Sequence, residues 1–84
     1  MWIVTSQHWP TLVNLDKVAH IRYQQISKTD PRIRIMAHAW EQEIVLAEAI
    51  DGDRAQAIVH LIAEAIDEGI ELLDLNQIEE SRQR

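Results

Sequence analysis

The 84-residue chain contains no cysteine and no phenylalanine, and it has only two glycines and two prolines. Without cysteine there is neither a disulfide framework nor a thiolate nucleophile or ligand. With glycine only at Gly52 and Gly69, no glycine-rich phosphate-binding loop can form. No apolar run approaches the ~20 residues that span a bilayer. Since residues 1–5 also lack a basic and apolar leader pattern, we expect a cytoplasmic protein without membrane contact.

The small size and the few aromatic residues limit the core. One tyrosine and three tryptophans accompany the aliphatic residues, and 84 residues allow one domain. A core of this size gives only a few kcal/mol of net stability, and oligomerisation is a common supplement. The net charge is −6, and the acidic residues are concentrated in residues 41–80, whereas residues 17–34 are mildly basic. This bulk acidity argues against non-specific binding to duplex nucleic acid.

The hydrophobic period changes near Asp51. Before it, short runs alternate as in a strand; after it, apolar residues recur at helical spacing from Ala55 to Ile66. Asp51 is a suitable N-cap, and Gly69 a suitable helix end. The pattern predicts an α+β fold, in which an antiparallel β-meander of about five strands carries one C-terminal α-helix on one face. A small open barrel capped by the helix is the alternative. The predicted strands are 2–5, 12–15, 18–26, 32–39 and 43–49.

The segment after Gly69 is too apolar for a free tail. Residues 70–75 are predicted to form a sixth strand, a docked extension or a short second helix, and the sequence does not choose among these. We expect a single domain over residues 1–76, followed by a polar C-terminal tail over residues 77–84.

The third and fourth strands have a predicted register. If their hairpin is centred on Thr29, residues whose numbers sum to about 58 face each other, so His20 lies opposite His38. Two imidazoles can begin a metal site, but zinc needs at least a third ligand, for which Glu43 is the nearest candidate. The sequence favours two imidazoles on a polar sheet face over a metal site, for which His20 and His38 would be the candidate ligands, and no cofactor is predicted.

The same register divides the hairpin into two faces. The odd-numbered face is the better core, and it contains Ile21, Tyr23, Ile33, Ile35, Ala37 and Ala39. The even-numbered face mixes cations with a methionine and a tryptophan. Such a surface can contact protein, and it can also stack and hold single-stranded nucleic acid. Its members are His20, Arg22, Gln24, Arg34, Met36, His38 and Trp40.

The opening Met1–Thr5 and the stretch Leu12-Val13-Asn14-Leu15-Asp16-Lys17-Val18 resemble a group of small bacterial and phage-associated proteins of unknown function. Those chains begin with Met-Trp, carry a Leu-Val-Asn-Leu-Asp-x-Val strand and end in an alanine-rich helix, which corresponds here to residues 55–66. The resemblance implies a β-meander with one helix, and it implies no activity or catalytic residue. This chain departs from the group at His8, Trp9 and the apolar segment after Gly69.

No residue pattern indicates catalysis, because the acidic residues show no catalytic pairing and the serines no nucleophile motif. We expect a non-enzymatic interaction module, most readily a homodimer, that self-associates through an open sheet face or edge and the 70–75 extension; an unknown protein partner also remains open. Two alternatives are a single-stranded nucleic-acid-binding domain, using Arg22, Arg34, His38 and Trp40, and a metal-binding protein. Nucleic acid is the less favoured partner. The predicted interaction surface comprises Arg22, Arg34, Met36, His38, Trp40, Ile70, Leu72 and Leu73.

Overall fold

A computed structural model describes residues 1–6 and 9–76, and it confirms the α+β class. Within these ranges the chain forms six strands and one α-helix, with a short 3₁₀ turn at Leu15–Lys17. The elements are β1 (Trp2–Val4), β2 (Leu12–Asn14), β3 (His20–Gln25), β4 (Ile33–Ala39), β5 (Gln42–Ala49), α1 (Gly52–Glu68) and β6 (Leu72–Asp74).

The strands form two three-stranded sheets. One has the order β2-β1-β6, and the other is the antiparallel meander β3-β4-β5. No closed barrel forms in the described part of the chain. The 3₁₀ turn separates the sheets: the Asn14 side chain accepts a hydrogen bond from the Asp16 N–H, and Val18 N–H bonds to the Leu15 carbonyl. The chain therefore changes direction after β2 and begins the second sheet.

The predicted register of the β3–β4 hairpin is confirmed. His20 pairs with His38 and Arg22 with Met36, and the pairing continues to Gln25 and Ile33. The polar turn between the strands is closed by its own side chains. Ser27 Oγ accepts from the Asp30 N–H, and the Asp30 carboxylate accepts from both the backbone and the guanidinium of Arg32.

The β4–β5 pair contains a bulge, because Ile35 pairs with Ala47 whereas Met36 pairs with Val45. Leu46 is the extra residue; its side chain is buried in the core, and its carbonyl accepts from the Ser6 N–H at 2.8 Å. The bulge thereby ties the end of β1 to the second sheet.

Helix α1 begins and ends at the predicted residues. Asp51 Oδ1 accepts from the Arg54 N–H at 2.9 Å, and Gly69 takes the left-handed conformation with φ 73°. The buried face of the helix packs chiefly on β4 and β5. Small side chains on the helix and on the sheet allow the two to approach closely. No helix in the described residues has the length and apolarity to cross a bilayer. The buried helix residues are Ala55, Ile58, Ile62 and Ala65, and facing residues include Ala37, Ala47 and Ala49.

Two residues expected in the core are half-exposed. Tyr23 lies on β3 at the sheet edge, where the helix gives little cover, and Ile66 lies in the last turn of α1, beyond the main contact with β4 and β5. In the opposite sense, Met36 was expected on an open face but is only 6% exposed. One helix is therefore too narrow to cover the whole second sheet.

The segment after Gly69 contains a sixth strand that belongs to its own chain's sheet. β6 pairs in parallel with β1, with Trp2 opposite Leu72 and Ile3 opposite Leu73. Leu75 is buried, and the Asn76 side-chain amide donates to the Thr5 carbonyl at 3.0 Å. Leu73 packs against the core, so this part of the predicted interaction segment contacts the protein's own interior. The predicted tail, 77–84, lies outside the described residues.

Loss of the helix N-cap should destabilise the fold. Asp51→Ala leaves the Arg54 N–H without its side-chain acceptor, so we expect the free energy of unfolding to fall by about 1 kcal/mol. Urea denaturation measures the change. Asp67→Ala removes the same charge from the last turn, where the helix dipole disfavours an anion. This control should be neutral or slightly stabilising, and an equal loss in both variants would contradict the cap assignment.

Candidate interaction surfaces

The even-numbered face of the second sheet is ordered in three rows across β3, β4 and β5. The rows follow from the two registers, and each ends on β5 in a residue that sequence reasoning did not include in the surface. Two of these three residues are carboxylates, and they contact arginines of β3 and β4. The rows are His20–His38–Glu43, Arg22–Met36–Val45 and Gln24–Arg34–Glu48.

The arginines of this face contact carboxylates of the same molecule. Arg22 Nη2 lies 2.7 and 2.6 Å from the two oxygens of Glu43, and its Nε lies 3.2 Å from Oε1. Arg34 Nε reaches Glu48 at 3.5 Å, and Arg32 Nη1 reaches the other oxygen of Glu48 at 3.0 Å. The hydrogen bonds from Arg22 hold the pKa of Glu43 below its ordinary value. Because these cations already have partners, a phosphate would have to compete with carboxylates for them.

The two histidines meet as the register predicted. Their rings stack with centroids 5.0 Å apart and planes 19° apart, and His38 Nδ1 lies 3.9 Å from Glu43 Oε1. Arg22 already engages both oxygens of that carboxylate. Among residues 1–6 and 9–76, no group of three or more histidine, aspartate or glutamate side chains is placed to hold a metal ion. The histidines therefore form a stacked pair with no third ligand among the described residues.

The first sheet presents a second open surface, which we call the outer apolar face. It consists of the outward residues of the three strands: Trp2, Val4, Leu12, Asn14, Leu72 and Asp74. Four of these six are apolar. Trp2, Leu12 and Leu72 are 44%, 55% and 57% exposed, whereas Ile3 and Val13 on the opposite face are buried. This sheet thus has apolar side chains on both faces, with only one face in the core.

Sequence reasoning missed most of this face, since Trp2 and Leu12 were not included in the predicted interaction surface. The signal was present in Trp2-Ile3-Val4, where consecutive residues are all apolar and cannot point to one side. Such a run is typical of a strand covered on both faces. Of the predicted surface residues, Leu72 belongs to this face.

A groove lies at the end of the molecule where β3 begins, and we call it the end groove. It has a volume of about 590 Å³, in the range of small-molecule and side-chain pockets. Its polar boundary includes Asp16, His20 and Glu71. Ile70, which the sequence placed in the interaction surface, is one of its walls. The apolar lining is formed by Met1, Leu15, Val18, Ile21, Ile66 and Ile70.

Trp40 stands alone at the tip of the β4–β5 hairpin, separate from the cations with which it was grouped. Trp40 and Glu41 form the two-residue turn between Ala39 and Gln42. The indole is 83% exposed. The backbone φ of 58° is the only positive value at a non-glycine residue in the described ranges, and a bulky residue adopts it only at an energetic cost.

Comparison with protein-family models, curated proteins and solved structures finds no match to this chain.

The Arg22–Glu43 contact should make stability depend on pH in a specific direction. Because the pKa of Glu43 is lowered in the fold, the contact stabilises above the ordinary carboxyl value of 4.5 and is lost as pH falls through the lowered value. We expect Arg22→Gln to be less stable than the parent near neutral pH, and the difference to shrink in acid. Denaturant unfolding of parent and variant, near neutral pH and again in acid below the lowered pKa of Glu43, measures this difference in the free energy of unfolding.

The control is Lys28→Gln, which removes the same charge in the turn at the far end of β3. It should show no carboxylate-linked change across this pH window. A stability difference for Arg22→Gln that persists in acid would contradict the assigned contact.

Proposed function

We propose that this chain is a small non-enzymatic interaction module that self-associates through the outer apolar face. The observation that carries the proposal is the exposure of three large apolar side chains, Trp2, Leu12 and Leu72, on one side of one small sheet. Contiguous apolar surface with polar neighbours is characteristic of protein interaction sites. Leu72 comes from the predicted extension, so the extension contributes to the proposed surface although its strand pairs within the chain.

A second copy is the occupant we favour, for two reasons. First, a sheet face packs readily on another sheet face at about 10 Å, and a twofold axis makes the contact self-complementary. Second, electrostatic repulsion between two acidic copies is weakest at the outer apolar face. The protein carries a net charge of −6, yet the only charged member of this face is Asp74, which is half-buried. The acidic helix and the ion-paired sheet would remain in solvent.

The ion-paired face of the second sheet supports association less well. Burying the Arg22–Glu43 and Arg34–Glu48 contacts would remove charges from water with little apolar gain, because Met36 is already buried in the free chain. The same contacts weaken the nucleic-acid alternative, which needs cations available to phosphates. The stacked histidines, which have no third ligand within residues 1–6 and 9–76, likewise give the metal alternative little support.

A charge placed in the outer apolar face should reduce the mass of the assembly. Leu72→Glu and Leu12→Glu each put a carboxylate where the proposal buries an apolar side chain, which is costly without a partner. We expect both variants to weaken association at least tenfold in sedimentation velocity. Leu12 and Leu72 lie on the two outer strands of the sheet, on either side of β1. An accidental local effect at one position would therefore not explain weaker association in both variants.

The matched control is Ile50→Glu. Ile50 is an equally apolar, 71% exposed residue between β5 and α1, outside the face. Circular dichroism and thermal unfolding verify that all three variants keep the fold. The proposal fails if Ile50→Glu weakens association as much as the face variants, or if neither face variant changes it.

A further inference from the structure

Trp40 combines a strained backbone conformation with an indole that has little packing within the chain. The left-handed backbone of Trp40 suits glycine or asparagine far better than an indole side chain. Its side chain is 83% exposed, so packing within the chain offsets little of this cost. Backbone strain of this kind clusters at functional sites, and at an exposed position it indicates a contact outside the chain.

The end groove has room for such a side chain. Its volume of about 590 Å³ is bounded by aliphatic side chains, of which Ile66 and Ile70 remain partly exposed. An aromatic side chain buries ~150–250 Å² when it is fully enclosed. An indole that enters the groove would therefore cover surface on both partners that the free chain leaves in water.

The polar rim also suits an indole. The indole N–H needs an acceptor when the ring is buried, and two acidic residues, Asp16 and Glu71, are among those that line the groove. Asp16 uses one oxygen for the terminal ammonium at 3.3 Å, and its side chain is 77% exposed. An acceptor is thus present beside the apolar walls.

The indole and the groove lie at the same end of the second sheet. His20, which lines the groove, pairs with His38, and Trp40 follows His38 by two residues. Two copies related by a twofold axis at this end can therefore exchange indoles reciprocally.

We infer that Trp40 of one copy inserts into the end groove of a second copy, in a contact separate from the outer apolar face. The contact deepens the proposed function by naming a second element of self-association, but it uses none of the outer-face residues. Trp40→Ala should weaken this contact by roughly 30-fold or more, as expected for a central tryptophan. Trp9→Ala, which removes another exposed indole, is the control and should leave it unchanged.

Trp40→Gly distinguishes an interaction role of Trp40 from a role in stabilising its own fold. Glycine relieves the left-handed backbone, so the monomeric protein should unfold at a higher temperature. The same variant should lose the groove contact. A variant that gains stability while losing association identifies Trp40 as an interaction residue; a loss of both would overturn the inference.

Cross-linking tests the partner directly, because the chain has no cysteine of its own. Under mild oxidation, a mixture of Glu41→Cys and Glu71→Cys chains should form a disulfide between the hairpin tip and the groove rim. Glu41→Cys mixed with Glu64→Cys, on the exposed side of α1, should not. Equal yields in both mixtures would overturn the inference.

The two proposals fail separately. Repeating the cross-link with Leu72→Glu present in both chains removes the outer apolar face while leaving Trp40 and the groove intact. A retained cross-link supports the groove contact whatever the fate of the outer face. Its loss in this background, with the fold intact, would show that the groove contact does not form independently and would overturn it as a separate contact.

Discussion

The limited cover that a single helix provides is the constraint on which this structure depends. The buried stripe of α1 consists of two alanines and two isoleucines, and it packs on β4 and β5. One side of the β2-β1-β6 sheet completes the core through Ile3 and Val13. Apolar residues beyond these contacts remain at the surface: Trp2, Leu12 and Leu72 on the outer apolar face, and Tyr23 and Ile66 elsewhere. The outer apolar face lies beyond the cover of the helix, and the end groove is lined in part by Ile66, an exposed residue of the last helical turn.

The sequence predicted those parts of the fold that depend on residues close together in the chain, such as turns and helix caps. The β3–β4 register followed from a polar turn whose side chains close on each other, and the helix limits followed from Asp51 and Gly69. The parallel pairing of β1 with β6 could not be predicted in this way, because it joins residues about 70 positions apart. The sequence therefore left residues 70–75 undecided between strand, extension and helix.

The candidate surface was predicted by residue type, and residue type alone was misleading. Arginine and tryptophan are enriched in interfaces, but Arg22 and Arg34 contact Glu43 and Glu48 on β5 of the same sheet. That pairing required the β4–β5 register, whose bulge at Leu46 no alternation pattern revealed. Leu72, Ile70 and Trp40 remain candidates for contacts outside the chain, whereas Leu73 and Met36 are largely turned toward the protein itself.

The central claim is that the chain does not remain alone in solution, and its mass tests this most directly. Light scattering across a concentration series compares the particle with the 9.8 kDa chain. The account predicts a mass that rises with concentration to at least twice the chain mass. A constant mass of one chain at every concentration would contradict it, and the exposed apolar surfaces would then require a different partner.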